Sequence, residues 1–99
     1  MKKLLKFSSP FCQPCQQMTK NLAQIDHDWV VEEINILDNM EVAIQYGIRG
    51  VPVILKLNEN GQEVSRLLGL QSVEHLSAYL GGKTITEVID SQNNGTLLG

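Results

Sequence analysis

The sequence predicts an α/β protein built on one mixed four-stranded sheet with helices on both faces, in the chain order β-α-β-α-β-β-α. Three observations carry that expectation. A short apolar run, Leu4 to Phe7, stops at Ser8-Ser9-Pro10 and is followed, from Cys15 to about Ile25, by a stretch without glycine or proline. A second run, Trp29 to Ile36, alternates loosely and is rich in β-branched residues. Finally, two strand-like runs, Val51 to Leu57 and Glu63 to Leu68, flank Asn58-Glu59-Asn60-Gly61, whose Asn-Gly step suits the positive backbone angles of a hairpin turn.

Leu4 to Phe7 reads as a buried strand ending in a loop. Met18, Leu22 and Ile25 recur at helical spacing, so a helix should begin beside the cysteines. Trp29 to Ile36 gives a second strand, parallel to the first through a right-handed crossover. Asp38 or Asn39 is placed to cap a short helix carrying Val42, Ala43 and Tyr46, with Gly47 and Gly50 punctuating its exit. The hairpin strands should pair antiparallel. After Gly69, Ser72 can cap a last main helix bearing Val73, Leu76, Ala78 and Leu80, with Glu74 in its first turn and Gly81-Gly82 at its end. Residues 1–82 are thus expected to form one domain. Residues 83–99 read as a tail with a helical turn at Thr86 to Ile89 and a mobile polar stretch from Ser91 to Gly95.

Bulk properties exclude several classes. The chain of 99 residues is 42% hydrophobic, enough for one modest core and too short for two domains. A formal net charge of -3, with no basic block, argues against nucleic acid as a partner. Met1-Lys2-Lys3-Leu4-Leu5-Lys6 imitates the head of a secretory signal, but Lys6 and Ser8-Ser9-Pro10 interrupt it before an apolar stretch develops. A cytoplasmic protein without a membrane span is expected. Lys2, Lys3 and Lys6 are too few to hold it at a membrane surface. A monomer is expected.

The chemistry points to Cys12-Gln13-Pro14-Cys15. A bond between these cysteines would close so small a loop that stapling the fold explains them poorly. Dithiol exchange, by contrast, needs one exposed thiolate to attack a disulfide and a second thiol within reach to resolve the mixed disulfide, and CxxC spacing supplies both. At a helix start, Cys12 would face unpaired backbone N–H groups and the positive end of the dipole, which favour its thiolate. Cys12 is therefore the expected nucleophile and Cys15, inside the first turn and more covered, the resolving thiol. Pro14 suits a turn that needs no amide donor there, and its ring stiffens the segment. The same spacing serves zinc sites, but a structural site wants four Cys or His ligands and only His27 and His75 could be added; both are more simply surface residues. Two unreactive buried cysteines is the other plain alternative. Trp29 and Met18 read as packing residues.

A second segment, Tyr46-Gly47-Ile48-Arg49-Gly50-Val51-Pro52, ends in a proline at a strand start, where the missing N–H costs little. Together with Phe11-Cys12-Gln13-Pro14-Cys15 it closely resembles thioredoxins, which carry a Cys-Gly-Pro-Cys site and a Gly-Ile-Arg-Gly-Ile-Pro stretch at comparable separation. The resemblance runs from about Leu4 to Leu80 and includes Glu33-Ile34-Asn35-Ile36, the Asn60-Gly61 hairpin and Gly69. It implies the thioredoxin fold and a cis Val51-Pro52 bond facing the cysteines. It also implies a client segment that pairs with the backbone before the proline and passes close to Gly69. Phe11, Gln13, Val51, Pro52 and Gly69 are accordingly the substrate-contact candidates. For Pro52, the plain alternative is a strand-edge residue.

The chain departs from the family in several places. It lacks the usual additional strand and helix before the cysteine strand, a trimmed start that resembles glutaredoxins and suits a phage-encoded member. The proline neighbourhood, and the want of a Gly-Gly-x-Asp-Asp-like glutathione motif, nonetheless favour thioredoxin. Phe11 replaces the usual tryptophan and Gln13 the usual glycine, changes that should alter partner contacts and reduction potential. Lys6 stands where thioredoxins keep a buried aspartate, and Glu33 where they keep its lysine partner. Either Lys6 and Glu33 meet beneath Cys15 as a buried pair of exchanged sign, tuning the thiols, or Lys6 extends along apolar surface to reach water.

The resemblance implies a thiol-disulfide oxidoreductase, a protein disulfide reductase with no bound cofactor beyond a redox-active Cys12–Cys15 disulfide. It would be recharged with NADPH electrons by a thioredoxin reductase, and its disulfide-containing clients would include ribonucleotide reductase. The rivals are a glutathione-dependent, glutaredoxin-like reductase and a non-catalytic binding module on the same fold. Pro52 speaks against a metal-holding module, because its ring should crowd a ligand at the cysteines.

Overall fold

The computed structural model describes residues 2–93. Its central sheet has four strands in the order β3-β1-β4-β5: β1 (Lys3–Ser8), β3 (Val30–Asn35), β4 (Val53–Leu57) and β5 (Glu63–Leu68). β1 runs parallel to β3 and antiparallel to β4, which pairs antiparallel with β5. The sheet is therefore mixed, and the β1–β3 connection passes through helix α1 (Gln13–Leu22), since parallel neighbours cannot be joined by a tight turn. Helices α2 (Met40–Gln45) and α3 (Val73–Leu80) complete the seven elements that the sequence predicts, in the predicted order.

The two central strands, β1 and β4, are buried on both faces, which is why they read as continuous apolar runs rather than as alternations. Side chains of period two divide the core. Leu4 and Ile54 join Met18 and Leu22 of α1 and Leu76 and Leu80 of α3 on one face. Leu5, Phe7, Val53 and Leu55 join Ile34 on the other, beneath Val42 of α2 and Tyr46. Lys6 shares the α1 face with Leu4.

Local signals work as expected at α3: Ser72 Oγ accepts from His75 N at 3.1 Å, and Gly81 ends the helix in the left-handed conformation. At α2, Asn39 holds the cap position without a side-chain cap bond, because its amide instead donates to the Asn35 carbonyl; Asp38 is engaged with Asn35 as well. In the hairpin, Asn58 organises the turn by accepting from the N–H groups of Asn60 and Gln62.

Two features differ from the sequence expectation. α1 stops at Leu22, and Ile25 belongs to a two-residue strand, β2 (Ile25–Asp26), which pairs antiparallel with β6 (Lys83–Thr84). Gly82 permits that approach: a Cβ there would stand 2.5 Å from the Asp26 carbonyl oxygen. The chain after residue 82 is thereby tied to the domain, with Ile85 N donating to Gln24 O at 2.7 Å. Helix α4 (Ile85–Asn93) then takes in Thr86 to Ile89 and continues through Ser91–Asn93, so these three residues are helical rather than loop. The rest of the polar stretch, to Gly95, lies outside the described residues. Among the described residues no helix is long and apolar enough to cross a membrane.

Candidate active site

Cys12 is the N-cap of α1 and Cys15 lies in its first turn, so the β1–α1 loop delivers both sulfurs to the helix start. They form a disulfide. Cys12 Sγ accepts from Cys15 N at 3.1 Å, the capping bond that a serine or aspartate oxygen would otherwise make. This donor, with the helix dipole behind it, favours negative charge on Cys12 Sγ once the disulfide is reduced. Pro14 occupies the first turn, where no amide partner is lost. Cys12 is half-buried and Cys15 only 3% exposed, so a nucleophile from solution meets Cys12 first.

The second segment arrives from the α2–β4 connection. The Val51–Pro52 peptide bond is cis, and Cys12 Sγ lies 3.9 Å from the Val51 carbonyl oxygen. Gly69 N donates to Pro52 O at 2.9 Å, which puts the end of β5 beside the proline. At Gly69 φ is +83°, a conformation that favours glycine over any side-chain-bearing residue. Val51, Pro52 and Gly69 line one 450 Å³ pocket with Ile48, Val53 and Leu68. Arg49 and Arg66 also line it, and Arg66 is occupied by Glu63 and the Tyr46 carbonyl. Phe11, 92% exposed, and the exposed Gln13 stand on the α1 side, outside this pocket.

On the α1 face of the sheet, Lys6 and Glu33 do meet. Lys6 Nζ donates to both carboxylate oxygens of Glu33 at 2.9 Å and to Thr19 Oγ1 at 2.6 Å. The Lys6 side chain is 2% exposed, so it does not run out to water. The pair is buried at one end only, for Glu33 remains 55% exposed. Glu33 is on the edge strand β3, directly opposite Lys6 in the parallel register, so both side chains stand on the same face of the sheet. Ser8 Oγ donates to Glu33 at 2.7 Å, and Thr19 Oγ1 donates to the Cys15 carbonyl at 3.2 Å. Cys15, Thr19 and Glu33 also line a common 270 Å³ pocket.

Sequence reasoning passed over Ser8, Thr19 and Arg66. Thr19 stands one helical turn after Cys15 and Ser8 two residues after Lys6, spacings that put each on the relevant face. Nothing local marks Arg66. The histidines weighed for a zinc site are engaged elsewhere: His27 Nδ1 accepts from Trp29 N at 3.0 Å, and His75 Nδ1 pairs with Gln71 Oε1 at 2.7 Å.

A disulfide at a helix start, facing a cis-proline across a sheet end, defines a thiol-disulfide oxidoreductase. Comparison with known proteins gives the family. The Thioredoxin family model matches residues 1–81. An SPbeta prophage-derived thioredoxin-like protein of Bacillus subtilis is 33% identical over 72 residues, covering 73% of this chain and 88% of the relative. The thioredoxin of Chlamydia caviae is 30% identical over 76 residues, 74% of each chain. Among solved structures, a mutant thioredoxin from Halobacterium salinarum superposes with a TM-score of 0.70 at 30% identity, covering 80% of this chain and 71% of its own. The chain belongs to the thioredoxin family.

Proposed function

We propose that this protein is a cytoplasmic, monomeric protein disulfide reductase. The observation that carries the proposal is the placement of half-buried Cys12 Sγ at the α1 N-cap, 3.9 Å from the Val51 carbonyl and beside an open apolar pocket. In the reduced protein the Cys12 thiolate attacks one sulfur of a client disulfide. A mixed disulfide forms and the client's other sulfur leaves as thiolate, taking a proton from solvent. Cys15 loses its proton and attacks Cys12 Sγ, which breaks the mixed disulfide and releases the client's second sulfur. The client gains two electrons, and this chain is left with the Cys12–Cys15 bond.

Val51, Pro52 and Gly69 form the wall along which an extended client segment lies, while Phe11 and Gln13 offer contacts from the α1 side. Lys6 and Glu33 set the electrostatics beneath Cys15 through Thr19. Recharging falls to a thioredoxin reductase drawing on NADPH, and ribonucleotide reductase is a fitting client, since its turnover leaves a protein disulfide. No resident cofactor takes part in these steps.

The test is insulin disulfide reduction, driven in parallel by NADPH with thioredoxin reductase and by NADPH with glutathione and glutathione reductase. Turnover in the first arm, abolished in Cys12→Ser, is expected. Turnover confined to the glutathione arm would move the protein to the glutaredoxin type, and activity in neither would leave a binding module or a different reductase.

A further inference from the structure

A polar network joins the active-site helix to the loop that carries Gly69. Asn21, six residues after Cys15 on α1, is buried, and its Nδ2 donates to the Gln71 carbonyl at 2.8 Å. Its Oδ1 accepts from Gln17 Nε2 at 2.9 Å, so the amide is held from both ends. The Gln71 side chain folds back over its own loop. Nε2 donates to Leu68 O at 3.0 Å and to Gly69 O at 3.3 Å, while Oε1 pairs with His75 Nδ1 of α3 at 2.7 Å.

We infer that Asn21 and Gln71 are positioning residues that hold the Leu68–Gly69 wall of the pocket at a set distance from the cysteines, and so govern affinity for protein clients. The inference rests on the reading of that pocket as the client site. The loop from β5 to α3 spans only residues 69–72, yet the carbonyls of Leu68, Gly69 and Gln71 are each taken by a side-chain amide. Gly69, without a side chain and at positive φ, is held at this place by its N–H bond to Pro52 and by that amide clasp. Leu70, between them, is 47% exposed and anchors little. Without the clasp the wall would sample other positions, and a client would have to order it on binding, a cost that falls on affinity. The sulfur chemistry at the other end of α1 needs none of these bonds. Hence client KM depends on the clasp, whereas the reaction of a small disulfide that contacts only the cysteines does not.

Gln71→Met preserves side-chain length on a half-buried loop while removing donor and acceptor, and Asn21→Leu does the same on α1. Each is expected to raise KM for insulin about three- to tenfold, leaving kcat and the rate with a small aromatic disulfide within about twofold of the parent. Gln71→Glu keeps an acceptor for His75 and loses the donors to Leu68 and Gly69, so it should behave like Gln71→Met. Far-UV circular dichroism and thermal midpoints establish that each variant is folded. An unchanged insulin KM in folded Gln71→Met overturns the inference, as does an equal loss with the small disulfide. If Gln71→Glu retains the parent KM, the His75 contact rather than the clasp on Gly69 is what matters, and the inference again fails. A parent protein that reacts with the small disulfide but never with insulin would instead sink the functional reading itself.

Discussion

Two lysines stand on the same face of the sheet and are accommodated in opposite ways. In the antiparallel register of β1 and β4, Lys6 faces Ile54 and Leu4 faces Lys56, so the cations occupy diagonal corners of a patch whose other corners are fully buried. At the cysteine end, Lys6 is enclosed and satisfied by Glu33 and Thr19. At the far end, Lys56 Nζ lies 3.9 Å from the centroid of the Tyr79 ring and 5.0 Å from that of Trp29, and donates to Tyr79 O at 2.6 Å. It thus caps the last turn of α3, where Trp29 Nε1 also donates to Leu80 O. Partial burial lowers the Lys56 pKa from its ordinary value, with a smaller push from Lys2. What a buried-face lysine does depends on the element laid over it. α1 and β3 offer a hydroxyl and a carboxylate, whereas α3 offers carbonyls and a ring.

The largest effect should come from breaking the enclosed end. Glu33→Ala leaves the Lys6 ammonium enclosed with only Thr19, and urea denaturation should show a loss of about 1–3 kcal/mol, below the value for a fully buried pair because Glu33 is half in water. Adding Lys6→Met to that variant should restore most of the loss; a midpoint unchanged by Glu33→Ala would mean the pair is dispensable.

A smaller effect is expected at the far end. Lys56→Ala removes the stem packed on Trp29 and Tyr79 together with a cap, and should cost about 1 kcal/mol of stability. The ends should also differ in chemistry. In Lys6→Met the pH profile for alkylation of the reduced cysteines should move to higher pH, since the cation joined to Cys15 through Thr19 is lost. In Lys56→Met that profile should stay where it is, and movement in both variants would erase the distinction.

The smallest effect calibrates the other two. Hydrogen bonding from Arg66 holds the Glu63 carboxyl below its ordinary pKa, against a smaller opposing effect of burial. Because the folded value is the lower one, the stabilisation is present above the unfolded pKa of about 4.3 and is lost as pH falls through the folded value. Stability curves of the parent and Glu63→Gln should therefore differ by a few tenths of a kcal/mol at pH 7 and converge in acid. A larger gap at pH 7 would show that even a partly exposed pair on this sheet is strong.

Most of the architecture is legible because its signals are local. The apolar runs of β1 and β4, the Ser72 cap, the glycines after α3 and the CxxC at a helix start each act within a few residues of where they stand. The short β2–β6 pairing was not legible, because two-residue strands have no periodicity and the space that Gly82 leaves open is visible only beside Asp26. The extension of α4 past Ile89 was missed for a related reason: its residues are polar, and its start is anchored by Gln24 and Thr84 rather than by an apolar stripe.

At the site itself, sequence alone determined the residue chemistry: two cysteines three apart, a proline between them, and a second proline after Arg49-Gly50-Val51. It also determined that Lys6 and Glu33 carry opposite charges on strands able to pair. Tertiary structure decided that Val51 and Gly69 share a wall next to Cys12, that Lys6 is sealed while Glu33 stays half in water, and that Asn21 reaches Gln71 across fifty positions. Chemical identity is carried by each residue separately. Burial and partnership belong to pairs distant in the chain, and become definite only when the packing of helices on the sheet chooses which distant groups touch.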